Sequence, residues 1–332
     1  MPKHEIQEAF AGKRVLVTGG FGFIGSNLVL RLLELNAEVD VIDAMLPETG
    51  ANPFNLADVR AQINFVQVDV RDGAKMTSLL RGKDYVFNLA GLSSHIGGMR
   101  DPVGDLEVNA LAQLRLLETC RAVNPNVRIV FAGTRQVYGR VERLPVGETT
   151  PVSPVDYNGV SKLAGELYHL LANRIYGLWT TSLRMTNTYG PRMRVRDARQ
   201  TFIGFWLRLI LDGERIPVFG SGDQIRDFNY VEDVVDAFLY CASHSSAKGK
   251  VYNLGAKPIS LSGLAELLIS LNGGGSYSLS PYPSDRAAID IGDYAGDYSR
   301  IHEELGWEPS TSIEEGLARS LDFYRAHKMH YW

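Results

Sequence analysis

The chain has only two cysteines in 332 residues, Cys120 and Cys241. They share no metal-ligand spacing and both fall in apolar helical patterns. A disulfide framework and a cysteine-held metal are therefore excluded, and buried structural thiols are expected. No apolar run approaches the ~20 residues that cross a bilayer. The N-terminal stretch Met1–Gly12 mixes charges and lacks the apolar segment of a signal peptide. A cytoplasmic location with no membrane partner is the expectation. One-sided charge is also missing: 34 basic against 38 acidic residues leave a net charge of −4, which gives no case for a nucleic-acid partner. No internal repeat, low-complexity tract or long linker appears. The 45% of hydrophobic residues suffices for one large or two interleaved domains.

What is present begins with Arg14-Val15-Leu16-Val17-Thr18, a β-branched run followed at once by Gly19-Gly20-Phe21-Gly22-Phe23-Ile24-Gly25-Ser26. Glycines at 19, 22 and 25 give Gly-x-x-Gly-x-x-Gly, and Asn27–Leu33 continues as an apolar helical pattern. A strand, a glycine turn and a helix opening at Phe23 and Ile24 aim backbone N–H groups and the helix dipole at a pyrophosphate. Gly19 permits the tight turn, Gly22 the approach of phosphate, and Gly25 the close packing of helix on strand. A second strand, Glu38–Ile42, ends in Asp43, about twenty residues beyond the glycines, where a carboxylate accepts ribose hydroxyls and repels a 2′-phosphate. Neither Ala44 nor Met45 would neutralise such a phosphate. The expected cofactor is NAD rather than NADP.

Strand-like runs at Ile63–Val68, Tyr85–Leu89 and Arg128–Ala132 alternate with helical patterns such as Ala110–Ala122. That alternation predicts an α/β fold with a Rossmann-type doubly wound parallel sheet. Asp69 and Val70 end the third strand, where a side chain meets the adenine. Asn88-Leu89-Ala90-Gly91 ends the fourth, where small residues let the chain pass beside the cofactor.

In this order, Thr18–Ser26, Asp69–Asp72, Asn88–Gly91, Ala132–Gly139, Gly159–Glu166, Leu183–Arg192, Arg226–Asp233 and Leu305-Gly306-Trp307 resemble the extended short-chain dehydrogenase/reductase family, in its NAD-dependent sugar-nucleotide epimerase/dehydratase branch. The resemblance implies held NAD, a nucleotide-diphosphate sugar across the cleft, and transient oxidation of the sugar. It also implies a homodimer paired through a helix bundle. Thr134 falls at the family's Ser/Thr position, where its hydroxyl meets the reacting sugar oxygen. Lys162 falls at the lysine position, where it binds the nicotinamide ribose and sets a positive field.

The usual tyrosine, four residues before that lysine, is replaced by Asn158, and an amide exchanges no proton near neutral pH. Three readings stand. Tyr157 could substitute by a change of register, although an i,i+5 pair lies about 140° apart around a helix. Asn158 could be native, with the proton handled by Lys162, a water or His95 in the loop Ser93-Ser94-His95-Ile96-Gly97-Gly98, where the family's substrate-facing loop falls. Or Asn158 could be an introduced change that traps substrate. The dehydratase branch carries an Asp-Glu pair after its Thr, whereas this chain has Arg135 and Gln136. That tilts the reading towards epimerisation at C4 of the hexose. Decarboxylation of a uronic acid, dehydration, and binding of NAD and a sugar nucleotide without turnover are the alternatives.

In the second half, Asn187 and Arg226 resemble the family's diphosphate-contacting Asn and Arg, with Arg286 a third candidate. Arg192, Arg194, Arg196 and Arg199 form a basic cluster bordering the nucleotide site or an interface. The NAD-binding domain is expected over 1–184 plus about 226–254, and a smaller mixed α/β substrate domain over about 185–225 and 255–332. The tail Tyr324–Trp332 has no role legible in the sequence.

Overall fold

Val15, Leu16 and Val17 are fully shielded from solvent, so the first strand is a central one, buried on both faces as a parallel sheet requires. The computed structural model describes residues 3–47 and 49–332; Met1, Pro2 and Glu48 lie outside the described residues. Six strands follow the expected α/β order: β1 Arg14–Thr18, β2 Glu38–Asp43, β3 Asn64–Gln67, β4 Tyr85–Asn88, β5 Arg128–Thr134 and β6 Trp179–Met185. With the strand Val251–Asn253 outside β6, they form one seven-stranded sheet in which β4 and β2 flank β1 and all pairings are parallel. The chain leaves β1 towards β2 on one side and later reaches β4 on the other. The crevice at the carboxyl ends of β1 and β4 is the place where such sheets bind ligands.

One core cluster packs the helix Phe23–Glu34 and the helix Val231–Ser243 on one face of the sheet, through Leu28, Leu32, Val234 and Phe238. Another packs the helix Ala112–Val123 on the other face through Leu116, Leu117 and Cys120. Both cysteines are buried and free, and burial pushes their thiols up. The helix expected from Ala110 starts differently. Glu107–Leu111 forms a π turn before the regular helix begins at Ala112. β5 also runs two residues further than expected, to Thr134.

Beyond β6 the chain builds a second, mixed layer of three two-stranded ladders, two parallel and one antiparallel. The helices Phe202–Leu211, Leu261–Asn272 and Ile313–Ala326 pack against them through Trp206, Leu264, Leu317 and Tyr324. The tail joins this layer to the first. The hydroxyl of Tyr331 donates to Asn55 Oδ1 (2.6 Å), and Asn55 donates to the Phe21 carbonyl in the glycine turn (2.9 Å).

Candidate active site

The glycine turn is a cradle that side chains would fill. Gly19 has φ +69°, and a Cβ on Gly25 would come within 2.2 Å of the Gly19 carbonyl oxygen. Gly22 is the N-cap of the helix Phe23–Glu34 and places no side chain over the first turn's amides. Asp43 closes the cradle. One carboxylate oxygen accepts from the Phe21 amide (3.0 Å) and the other from the Met45 amide (2.9 Å). Burial raises its carboxyl above the ordinary value, against the pull of those two amides. Further along the crevice, Thr18 holds the Ala90 amide (2.9 Å), which fixes the Leu89-Ala90 bend. Val70 is buried at the end of the third strand, and the Asp69 carboxylate is clasped by Arg71 at 2.7 Å and 3.0 Å, which lowers its pKa. The turn, the helix end and the bound acid fit a dinucleotide.

Lys162 and Asn158 lie on the helix Tyr157–Tyr176, which Asp156 caps by accepting from the Gly159 amide (2.6 Å). The cap fixes the helix register. Tyr157 is half exposed and Lys162 buried, so the two side chains face different ways. Lys162 Nζ donates to the Ala132 carbonyl (3.3 Å) and lies 5.4 Å from the centre of the Phe131 ring. Burial brings its pKa down to about 8, with Asp105 pulling the other way. Gly91 has no room for a side chain, since a Cβ there would meet this ammonium at 2.5 Å.

The Asn158 amide is fully engaged as a donor. Its nitrogen serves Leu92 O (2.7 Å) and Asp105 Oδ2 (2.8 Å), the latter in the short helix before the π turn. Thr134 Oγ1 accepts from the Gln136 amide (3.2 Å), which leaves its own proton available. His95 opens a short helix, with Nδ1 2.9 Å from Asp156 Oδ2 but off the line of a straight hydrogen bond. Gln136 donates to the same carboxylate oxygen (2.8 Å). Burial draws the Asp156 carboxyl upward, and His95, Gly159 and Gln136 outweigh it, so the net shift is downward.

Residues 15–255 match the model of the NAD dependent epimerase/dehydratase family. The chain belongs to that family. A UDP-glucose 4-epimerase of Mycolicibacterium smegmatis is 30% identical over 314 residues, covering 94% of this chain and 98% of that one. A dTDP-glucose 4,6-dehydratase of the same organism is 32% identical over 323 residues, covering 95% and 94%. A solved structure of UDP-glucose 4-epimerase from Thermotoga maritima with UDP-glucose superposes with a TM-score of 0.86 at 31% identity, covering 95% of this chain and 99% of that one. The family's cofactor is NAD, and the cradle from Gly19 to Asp43 is where it fits.

Opposite the cradle, the epimerase/dehydratase second layer brings Asn187 and Arg226 together, and Arg135 with them. Asn187 donates to the Asp227 carbonyl (3.0 Å) and accepts from Arg135 Nη2 (2.9 Å). The guanidinium of Arg226 is spent within the chain, on the carbonyls of Ile225 and Gly292 and on Asp290. Burial, then repulsion by Arg135, brings its pKa down to about 10. Arg286 has its guanidinium 5.6 Å from the Phe219 ring and, with Arg226, acts on the Tyr282 hydroxyl. The basic cluster is divided: Arg194 and Arg199 pair with Asp197, while Arg192 reaches Asn27 on the glycine-turn helix (3.0 Å). Sequence reasoning missed Asp156 and Asp105. Asp156 carried a signal, an acid just before an apolar helix, which is an N-cap pattern. Asp105 carried none.

Proposed function

We propose that the chain is an NAD-dependent epimerase of a nucleotide-diphosphate hexose, acting at C4 through a transient keto-sugar. The carrying observation is the pair that follows Thr134. Dehydration needs an acid and a base there, and Arg135 and Gln136 supply neither, the Gln136 amide being committed to Asp156. The epimerase and dehydratase relatives act on UDP-glucose and dTDP-glucose, which supports a nucleotide-diphosphate sugar as substrate. We assign its capture to 185–225 and 255–332, and NAD to 1–184 with 226–254.

When bound, NAD supplies the acceptor for a hydride from the sugar carbon and the donor on its return. Thr134 donates its free proton to the reacting oxygen. Lys162, half-charged near pH 8, holds a positive field that favours the oxyanion. The proton of the sugar hydroxyl goes to His95, whose Nδ1 lies 2.9 Å from the buried Asp156 carboxylate. Asn158 is then a positioning residue that ties the catalytic helix to the loop at Leu92. Val160, Leu167, Leu171 and Ile175 form an exposed apolar stripe along that helix, which supports a homodimer paired through it. A cytoplasmic site of action completes the reading; among the described residues no helix is long and apolar enough to cross a membrane.

Proton NMR of the protein with NAD and a panel of nucleotide-diphosphate sugars tests this. The expected result is a new anomeric signal from the C4 epimer, reduced about 100-fold or more in rate by His95→Gln. A 4-keto-6-deoxy product, or release of carbon dioxide, would replace the epimerase reading by dehydratase or decarboxylase. A second reading, binding without turnover, is favoured by Asn158, whose donated N–H groups leave nothing to exchange at the tyrosine position. Tight binding of a sugar nucleotide without product, with activity gained by Asn158→Tyr, would establish it.

A further inference from the structure

The guanidinium of Arg135 is left incompletely paired where the end of β5 meets the second layer at Asn187. Nη2 donates to the amide oxygen of Asn187 (2.9 Å), while Nη1 is buried with no hydrogen-bond partner among the described residues. The face of the Tyr294 ring, 5.0 Å from the guanidinium carbon, holds the group in place. Arg226 stands close enough to repel it. Asp227 and Asp290 favour its charge from nearby, but their hydrogen bonds go elsewhere. Asp227 accepts from the Thr186 hydroxyl and from the Gly296 amide (2.8 Å). Asp290 takes Arg226, the Tyr282 hydroxyl (2.9 Å), Gln224 (2.9 Å) and the Gly292 amide (3.0 Å). A buried guanidinium with one donor unspent is unfavourable in a dry site unless an acceptor joins it.

We infer that Arg135 binds a carboxylate carried on the sugar ring, so that the substrate is a nucleotide-diphosphate sugar acid rather than a neutral hexose. This rests on the sugar-nucleotide reading above and narrows it. The placement favours the sugar over the diphosphate. Arg135 follows directly on Thr134, assigned to the reacting oxygen, and its tip ends at Asn187, assigned to the diphosphate. Its guanidinium therefore spans the stretch between them, where ring substituents lie. The neighbouring arginine, Arg226, is already engaged by Ile225, Gly292 and Asp290, so the unspent donor is Arg135's own. The unpartnered Nη1 offers a carboxylate a charge-assisted hydrogen bond, which a neutral hydroxymethyl group does not match.

Isothermal titration of the NAD-loaded protein with matched pairs of nucleotide-diphosphate glucose and glucuronate, in the uridine, thymidine, cytidine, guanosine and adenosine series, tests the inference. The expected result is tighter binding of the glucuronate by about 10- to 100-fold, the worth of a charge-assisted hydrogen-bond pair. In Arg135→Gln that ratio falls to about one, and Arg135→Lys, which keeps the charge, retains part of it. Equal affinity for the two members of the bound pair in the unmodified protein overturns the inference alone. So does a ratio that survives Arg135→Gln. An equal loss of both ligands in that variant places the guanidinium on the diphosphate and also overturns it. Binding of no sugar nucleotide in any series overturns the sugar-nucleotide reading, and the inference falls with it.

Discussion

Replacing Lys162 by methionine should stabilise the protein at neutral pH while abolishing turnover. A lysine that releases its proton near pH 8 instead of at its ordinary 10.5 carries about 3 kcal/mol of charge-burial cost at pH 7, at about 1.4 kcal/mol per pH unit. Methionine fills similar space without charge. Against the gain, Ala132 O loses its donor, which returns about 1–2 kcal/mol; the pull of Asp105 is already contained in the net shift. The net expectation is a gain of about 1–2 kcal/mol at pH 7. Its pH dependence follows from the sign of the shift. Because the folded pKa is depressed, the unfolded chain binds more protons between pH 8 and 10.5, and the unmodified protein gains stability as pH rises through that window. The cost is fully present below pH 8 and gone above 10.5, where the variant becomes the less stable of the two. Urea denaturation of both proteins without cofactor, at intervals from pH 7 to 10.5, reads this directly. A variant less stable at pH 7, or a difference that does not change with pH, would refute the buried-charge reasoning.

Three further outcomes are expected. Gly25→Ala drives a Cβ against the Gly19 carbonyl at 2.2 Å and should weaken NAD binding by about 100-fold or more, measured by fluorescence titration; a loss under tenfold would mean the turn yields. Asp43→Asn removes the charge expected to face the ribose and should narrow the preference for NAD over NADP by about tenfold or more, with an unchanged ratio of the two dissociation constants counting against it. Glu166→Gln leaves Arg184, paired to it at 2.5 Å and nearly fully buried, without its counter-charge. The expected cost is about 3–5 kcal/mol in urea denaturation, and a cost under 1 kcal/mol would show that water reaches the pair.

The cofactor half of the site was legible because its signals are local. A β-branched run, three glycines, an apolar helix and an acid after the next strand lie within about thirty residues, and each constrains the backbone by itself. The same locality let helix geometry predict that Tyr157 would face away from Lys162, and the Asp156 cap holds it so. The start of the helix at Ala112 was misplaced because a π turn preserves the apolar spacing closely enough to hide in the pattern. Nothing in the composition of Tyr324–Trp332 could show that Tyr331 reaches Asn55 from 276 residues away.

The sequence by itself determined the sheet, the glycine cradle, NAD, and the absence of a tyrosine four residues before Lys162. Only the tertiary structure decided what stands around that gap. Asn158 turns its amide to Leu92 and Asp105, 66 and 53 residues distant. His95 comes to lie against Asp156. Arg135 crosses to Asn187, 52 residues on, with a donor unspent. Periodicity and turn chemistry act over a few residues, whereas the partner of a buried polar group is chosen by which loops the packed sheet brings together. The fold could therefore be read from the chain in order, and the polar contacts around Asn158, His95 and Arg135 only from the packed structure.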